Sequence, residues 1–182
     1  MILLCYGTRP ELIKLFPLAI ELKRKLVNYQ TLFTGQHKHL IKDFEYLIET
    51  PTYKFNIFKK GQSIDRLYSK ILRSCDKLFK KHTFDLVVVQ GDTTSATAIA
   101  QSAFHHKIKI AHIEAGLRTY NKFSPFPEEL NRHIISKLAD YHFAPTKVAY
   151  ENLIREHIIN NVFLVGNTIV DSISYFKLKI RY

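Results

Sequence analysis

The fold is decided by residues 82–131, HTFDLVVVQGDTTSATAIAQSAFHHKIKIAHIEAGLRTYNKFSPFPEELN. Two short apolar runs, 86–89 and 108–111, have the length and composition of buried strands. The small residues between them, 93–103, are typical of a helix that packs closely on a sheet. A strand, a helix and a second strand in this order predict a parallel pair of strands joined by a helical crossover.

The same alternation continues on both sides of this unit. Strands are predicted over residues 1–6, 30–34, 53–58, 141–144 and 162–165, in addition to the two above. Helices are predicted from Thr8 to about residue 26, from Ser63 to about residue 82, from Thr146 to about residue 157, and over 169–176. Two more are predicted, one that follows residues 35–39 and ends at about residue 48, and one that begins at Glu128. We therefore predict an α/β fold, a doubly wound Rossmann-like parallel sheet of six or seven strands in one domain spanning residues 1–182.

Composition excludes several classes of protein. With 46% hydrophobic and 24% charged residues among 182, the chain is expected to be ordered. No apolar run approaches the roughly 20 residues of a membrane helix, and the N-terminus lacks a basic leader, so a soluble cytoplasmic protein without membrane contacts is expected. Cys5 and Cys75 form no metal or redox spacing, which favours buried thiols.

The net charge of +11 raises the question of nucleic-acid binding. The excess is spread over separate surface stretches such as 23–25, 59–60 and 80–81, without an aromatic-interleaved basic motif. Solvated helix faces explain this pattern better than a nucleic-acid partner does. A general positive field would still favour a small anionic substrate such as a nucleotide sugar.

The first strand leads into GTRPE, residues 7–11, which carries helix-start signals. Thr8 can cap the helix, and Glu11 stands three residues later, as in a capping box. This places Arg9 in the loop at the helix mouth and Lys14 about one turn inside, with a bend expected at Pro17. Helix N–H groups beside these cations could bind a phosphate. The motif taken alone nevertheless favours surface capping and salt bridging.

Three carboxylates are expected at one edge of the sheet. Asp92 follows the first central strand, Glu114 follows the second, and Glu128 begins the next helix. Ligands of open parallel sheets bind at this carboxyl edge. Locally, Asp92 could merely cap its helix, and capping is the default role for Glu129. Partial burial would suit Glu114 to acid or base work, while Arg118 nearby would counter the effect of burial.

Other types of catalytic site are disfavoured. His37 and His39 stand close together after Gln36, but no carboxylate or cysteine lies at ligand spacing beside them, which favours a polar loop over a metal site. The chain contains no serine or cysteine nucleophile elbow and no metal-binding constellation. Several carboxylates near cationic groups instead suggest proton transfer on an anionic substrate.

Six ordered motifs identify a family. They are GTRPELIK at 7–14, GDTTSA at 91–96, HIEAGLRT at 112–119, SPFPEELNR at 124–132, YHFAPT at 141–146 and VGNTIVD at 165–171. Together they closely resemble the non-hydrolysing bacterial UDP-N-acetylglucosamine 2-epimerases, from residue 1 to about residue 174. The resemblance implies the N-terminal domain of a two-domain fold like that of the B-type glycosyltransferases, and an enzyme that needs no metal or nicotinamide cofactor.

The resemblance also implies an activity. The family interconverts UDP-N-acetylglucosamine and UDP-N-acetylmannosamine for surface polysaccharides, by eliminating UDP with loss of the sugar C2 proton and then adding it back. By motif match, Asp92, Glu114 and Glu128 would be the acid and base carboxylates, and the first two would also contact the substrate.

Further residues are assigned by the same match. Arg9 and Lys14 would contact the nucleotide or its phosphates. Gln36 and His37 match a segment that binds a second UDP-N-acetylglucosamine as an activator. His39 replaces a glutamine that is usual there, which puts the activator site in question.

Length separates this sequence from the family pattern. Family members are roughly twice as long, and their second, nucleotide-binding domain is missing from these 182 residues. We therefore expect that the chain folds alone but turns over little or no substrate. A homodimer formed through the helices near 43–48 and 63–82 is expected, or a separate chain that supplies the second domain. Half of a glycosyltransferase and a non-catalytic subunit are the alternative functions.

Overall fold

A computed structural model of the protein describes residues 1–35 and 50–180, and strands alternate with helices from residue 53 to the end of the described residues. The strands are β1 (Ile2–Tyr6), β2 (Tyr29–Phe33), β3 (Tyr53–Lys54), β4 (Leu86–Gln90), β5 (Lys109–Ile113), β6 (Tyr141–Ala144) and β7 (Val162–Leu164). The helices are α1 (Arg9–Arg24), α2 (Ile64–Lys81), α3 (Thr94–His105), α4 (Glu128–Leu138), α5 (Lys147–Arg155) and α6 (Ile169–Ile180).

The strands form one seven-stranded sheet in the order β3-β2-β1-β4-β5-β6-β7, and every neighbouring pair is parallel. The chain moves outward from β1 in one direction and, after α2, outward from β4 in the other. The order therefore reverses between β1 and β4, where a crevice opens at the carboxyl ends of the strands. The predicted doubly wound Rossmann-like fold is confirmed.

Alternate residues of the central strands bury their side chains in two cores. Leu3 and Cys5 of β1 lie in the core beneath α2 and α3, whereas Leu4 and Tyr6 lie in the core beneath α1 and α6. This alternation is the two-residue period of a strand covered by helices on both faces. Cys5 and Cys75 are both buried free thiols, as predicted.

Several predicted boundaries differ from the observed ones. The third strand was expected over 53–58, but only Tyr53–Lys54 form the strand, because Lys54 pairs with Phe33, the last residue of its only neighbour β2. The last helix extends beyond the expected residue 176 to Ile180. Arg9, expected in a loop, is the first residue of α1. The predicted helix ending near residue 48 lies outside the described residues.

The start of α1 follows the predicted capping pattern, because the backbone N–H of Thr8 donates to Oε2 of Glu11 at 2.7 Å. Gly7 is needed here for space. A Cβ on Gly7 would lie 2.4 Å from Oγ1 of Thr34 and 2.9 Å from Oγ of Ser95. The loops after β1 and β2 and the first turn of α3 therefore approach each other at this point more closely than any side chain at position 7 would allow.

Helix α1 continues through Pro17, where the sequence predicted a bend. Proline has no N–H, so the carbonyl of Ile13 loses the donor that an α-helix normally provides four residues later. The hydroxyl of Ser172 in α6 donates to this carbonyl at 2.6 Å. Phe16 also packs against Tyr175 with the ring centroids 4.9 Å apart. The proline thus creates an acceptor that α6 uses to dock on α1.

Replacing Ser172 by alanine is expected to lower the melting temperature by about 5 °C, because a buried carbonyl without a donor costs about 1–2 kcal/mol. Adding Pro17→Ala should recover at least half of that loss, since the alanine supplies the missing N–H. Thermal unfolding followed by circular dichroism measures both effects. Ser174→Ala, which removes an exposed hydroxyl bonded within the same helix, is the matched control. An equal shift in both serine variants would contradict the docking role.

Candidate functional site

The crevice between β1 and β4 brings together the three carboxylates predicted from the sequence. Asp92 precedes α3, Glu114 directly follows β5, and Glu128 is the first residue of α4. Burial raises the pKa of Asp92; the Arg132 guanidinium opposes the rise, and the neighbouring charges of Glu128 and Glu114 add to it. The three groups therefore share one electrostatic environment, although they come from three separate elements.

Glu114 is held by donors from three other elements. Lys14 Nζ lies 2.7 Å from Oε1 and 2.6 Å from Oε2. Gln90 Nε2 donates to Oε2 at 2.5 Å, and Asn167 Nδ2 donates to Oε1 at 3.0 Å. A carboxylate has about four lone-pair positions, and these four contacts occupy them. Glu114 can therefore accept a substrate proton only after one of these donors has moved away.

The backbone of Glu114 is also unusual. Its φ angle is 68°, in the left-handed region that non-glycine residues rarely adopt. Only 12% of its side chain is exposed. A conformation of this kind costs about 1–3 kcal/mol and is maintained by the surrounding contacts. The hydrogen bonds of Glu114 with Lys14 and Gln90 are among these contacts.

Asp92 is fixed by the start of α4. Arg132 donates to Oδ2 of Asp92 from Nε at 2.8 Å and from Nη2 at 2.7 Å. Asn131 Nδ2 donates to the backbone carbonyl of Asp92 at 2.8 Å. Neither residue was predicted as a site residue, although both stand in the motif SPFPEELNR. Helix α4 therefore carries Glu128 into the crevice and also fixes the neighbouring carboxylate.

Glu129 has a different role from Glu128 beside it. The sequence indicated helix capping, but Glu129 is fully buried and accepts from the N–H groups of Thr119 at 2.9 Å and Tyr120 at 2.8 Å. Burial alone would raise its pKa, but these donors and Arg132 hold the pKa below its usual value. Glu129 thus anchors the loop that follows the HIEAGLR motif.

The expectation for Arg118 was wrong. The sequence placed it near Glu114, but its guanidinium binds the carboxylate of Glu156 through Nε at 2.7 Å and Nη2 at 2.8 Å. The cation beside Glu114 is Lys14 instead. Residues four apart in a loop after a strand need not face each other, and the packing of α5 brings Glu156 to Arg118.

A buried histidine supports the turn before Asp92. Burial lowers the pKa of His112 to about 3, so its imidazole is neutral at physiological pH. Its Nε2–H donates to the carbonyl of Gly91 at 2.7 Å. Gly91 has a φ of 71°, a value that glycine adopts without strain. In the sequence, the sign of this role was a histidine within the otherwise apolar residues 110–113 of the buried strand β5.

The predicted substrate-binding cations lie on α1. Arg9 is exposed at the first position of the helix, where backbone N–H groups and the helix dipole favour an anion. Lys14 lies one turn further on and reaches into the crevice. Their contact with a nucleotide stays a prediction. Gln36 and His37, predicted to form an activator site, lie outside the described residues.

The described residues hold neither a metal-binding cluster nor a membrane-spanning helix. In residues 1–35 and 50–180, no group of three or more His, Cys, Asp or Glu side chains is arranged to hold a metal ion. Within the same residues, no helix has both the length and the apolar character to cross a bilayer. The carboxylates and cations of the crevice therefore form the candidate site. Such an arrangement can transfer protons on an anionic substrate.

Comparisons with known proteins point to one family. The family model described as UDP-N-acetylglucosamine 2-epimerase matches residues 20–182. The UDP-N-acetylglucosamine 2-epimerase of Campylobacter jejuni is 43% identical over 183 residues, which cover 99% of this chain and 48% of that protein. The chain spans about half the length of the curated relatives it matches.

Two solved structures are similar in fold and sequence. UDP-GlcNAc 2-epimerase from Neisseria meningitidis, bound to UDP-GlcNAc, has a TM-score of 0.91 and 40% identity, covering 98% of this chain and 50% of that one. The enzyme of Methanocaldococcus jannaschii, in complex with UDP-GlcNAc and UDP, has a TM-score of 0.88 and 38% identity over 98% and 49% of the two chains. With the family model matching most of its residues, the chain belongs to the UDP-N-acetylglucosamine 2-epimerase family.

Proposed function

We propose that the protein interconverts UDP-N-acetylglucosamine and UDP-N-acetylmannosamine, and that the crevice between β1 and β4 supplies the proton-transfer groups. The observation that carries the proposal is the cluster of Asp92, Glu114 and Glu128, with Lys14 and Arg132 beside it. Related structures bound to UDP-GlcNAc support the choice of substrate. The product would serve the synthesis of surface polysaccharides in the cytoplasm.

The reaction requires two half-steps. In the first, a carboxylate removes the proton from sugar C2, the electron pair forms the C1–C2 double bond, and the C1–O bond breaks with its electrons leaving on UDP. In the second, UDP oxygen attacks C1 and a proton is delivered to the opposite face of C2. Atoms and charges balance without an external oxidant or reductant. Three carboxylates in one crevice provide proton donors and acceptors for both faces.

The cations have two tasks in this scheme. The departing diphosphate needs positive charge, which Arg9 and the positive end of the α1 dipole can supply. Lys14 can serve the diphosphate as well, but it is bound to Glu114 in the free protein. Binding of substrate would draw Lys14 to the phosphates and free the lone pairs on Glu114. The same cation would then prepare the base and stabilise the leaving group.

A proton NMR time course tests the proposal. The protein as the cell produces it, here called the natural polypeptide, is incubated with UDP-N-acetylglucosamine in deuterated buffer. The C2 proton and the nucleotide signals are followed. Loss of the C2 proton together with appearance of the manno product is expected. Asp92→Asn should abolish both changes, whereas Asp76→Asn, which alters an exposed carboxylate on α2, should leave them intact.

Two outcomes would contradict the proposal. An unchanged C2 signal with the natural polypeptide would exclude epimerisation, and transfer of the sugar to an added acceptor would indicate a glycosyltransferase. The isolated 182 residues are expected to give little or no exchange, because the matched relatives are about twice as long. Exchange by the 182 residues at a rate typical of a complete enzyme would overturn that expectation.

A further inference from the structure

Glu11 is a buried carboxylate that the proposed reaction does not use. Only 2% of the residue is exposed. Its Oε2 accepts from the backbone N–H groups of Gly7 at 2.9 Å and Thr8 at 2.7 Å, and from the Thr8 hydroxyl at 2.7 Å. Its Oε1 accepts from the hydroxyl of Thr93 at 2.7 Å. Four donors from two separate loops therefore converge on one side chain.

Helix capping alone does not account for a carboxylate at this depth. Burial raises the pKa of Glu11, and the hydrogen bonds from Thr93, Gly7 and Thr8 oppose the rise. A carboxylate accepts hydrogen bonds at both oxygens, whereas a glutamine would accept at only one end. Glu11 can therefore satisfy the turn after β1 and the hydroxyl of Thr93 at the same time. Helix capping requires only the contacts with the turn after β1, so the hydrogen bond with Thr93 needs another explanation.

Thr93 connects this carboxylate to the candidate site. Its Oγ1 accepts from the N–H of Ala96 as the N-cap of α3, while its hydroxyl proton goes to Glu11. Asp92 is the preceding residue, and Arg9 lies two residues before Glu11. The bond thus joins the first turn of α1, which carries a predicted phosphate-binding cation, to the loop after β4, which carries a predicted acid or base. Gly7, whose N–H also donates to Glu11, lies against the same helix that Thr93 caps, because a Cβ at Gly7 would come within 2.9 Å of Oγ of Ser95.

We propose that the Glu11–Thr93 hydrogen bond sets the position of Asp92 relative to the diphosphate-binding start of α1, which makes both residues positioning residues for proton transfer at sugar C2. The inference rests on the proposed epimerase function. Misplacement of a reacting group by about 1 Å can reduce a rate by about 100-fold. A link between these two segments is therefore expected to affect turnover more than substrate affinity.

Thr93→Val tests the link, because valine has nearly the shape of threonine and lacks the hydroxyl. Thr146→Val is the matched control: Thr146 also caps a helix, through the N–H of Ala149, and its helix α5 carries none of the candidate site residues. In the natural polypeptide, Thr93→Val should lower kcat for C2 exchange by about 10- to 100-fold with KM changed by less than about three-fold. Thr146→Val should change neither by more than about two-fold. Thr93→Ser, which restores the hydroxyl, should recover most of kcat.

Hydrogen exchange of the backbone amides of Gly7 and Thr8 provides a readout independent of activity. Both amides donate to Glu11, so their exchange should quicken in Thr93→Val and stay unchanged in Thr146→Val. Equal kcat in the two valine variants, or a Thr93→Ser variant as slow as Thr93→Val, would overturn the proposal. If the unsubstituted protein shows no C2 exchange, the epimerase function fails. The link is then judged by amide exchange alone, and unchanged exchange in Thr93→Val refutes it.

Discussion

Replacing Glu114 by glutamine is expected to reduce the rate of C2 proton exchange by about 1000-fold, which is within the usual contribution of a general acid or base. Glutamine keeps the size of the side chain but cannot take up a proton from the sugar. The contacts of Glu114 with Gln90 and Asn167 hold the group at the centre of the crevice. The rate is measured from the decay of the C2 proton signal in deuterated buffer with the natural polypeptide.

Glu21→Gln is the control for this substitution. Glu21 is an exposed carboxylate on α1 that pairs with Arg24 and lies outside the candidate site. Its replacement should leave the rate within about two-fold of the parent, since exposed ion pairs contribute little. Circular dichroism should show that both variants remain folded. A Glu114→Gln variant that exchanges the C2 proton as fast as Glu21→Gln would remove Glu114 from the proton-transfer step.

The substitution Gly116→Ala is expected to have the largest effect on stability. Gly116 has a φ of 86°, and a Cβ added to it would lie 2.1 Å from the carbonyl oxygen of Ala149. The left-handed backbone costs an alanine about 1–2 kcal/mol, and the overlap with rigid backbone adds about 1–3 kcal/mol. A loss of about 2–5 kcal/mol corresponds to a fall in melting temperature of about 10 °C.

Gly61→Ala separates the two causes. Gly61 has a similar φ of 76°, but nothing lies within 4 Å of its added Cβ. Only the backbone term applies there, so a fall of about 5 °C is expected. Thermal unfolding of the two variants under identical conditions gives the comparison. If Gly116→Ala is no less stable than Gly61→Ala, the close approach of α5 to the loop after β5 does not restrict position 116.

The close approach at Gly116 has a consequence for the site. The carbonyl of Gly116 accepts from Nδ2 of Asn152 in α5 at 3.0 Å. The loop is therefore held against α5 by this hydrogen bond and by the close contact of Gly116 with Ala149. Glu114 lies two residues earlier, at the start of the same loop. A displacement of the loop by Gly116→Ala is therefore expected to move the carboxylate of Glu114 as well as to lower stability. Comparing the C2 exchange rates of folded Gly116→Ala and Gly61→Ala protein shows whether this occurs.

Periodicity and capping signals were sufficient for most of the fold. The run 86–89, the small residues after Thr93 and the run ending at Ile113 each specify an element through neighbours within a few residues. Parallel strands joined by helices then force all carboxyl ends to one edge. For this reason the sequence could place Asp92, Glu114 and Glu128 at a common edge without knowledge of any contact.

The partners of these residues could not be predicted in the same way. Glu114 binds Gln90, Asn167 and Lys14, which lie 24, 53 and 100 residues away in the chain. Sequence spacing pointed to Arg118 instead, four residues away, and this was wrong. Hydrogen bonds and ion pairs need atoms within about 3 Å in a defined direction, so they depend on strand order and helix packing.

The sequence by itself determined the alternation of strands and helices, the edge on which the chemistry lies and the carboxylates that belong to it, because these follow from short-range patterns. The tertiary structure alone decided that Lys14 neutralises Glu114, that Arg132 holds Asp92, and that Ser172 supplies the donor missing at Pro17. Each of these contacts joins elements far apart in the chain. Their geometry is set by how two layers of helices close on a seven-stranded sheet.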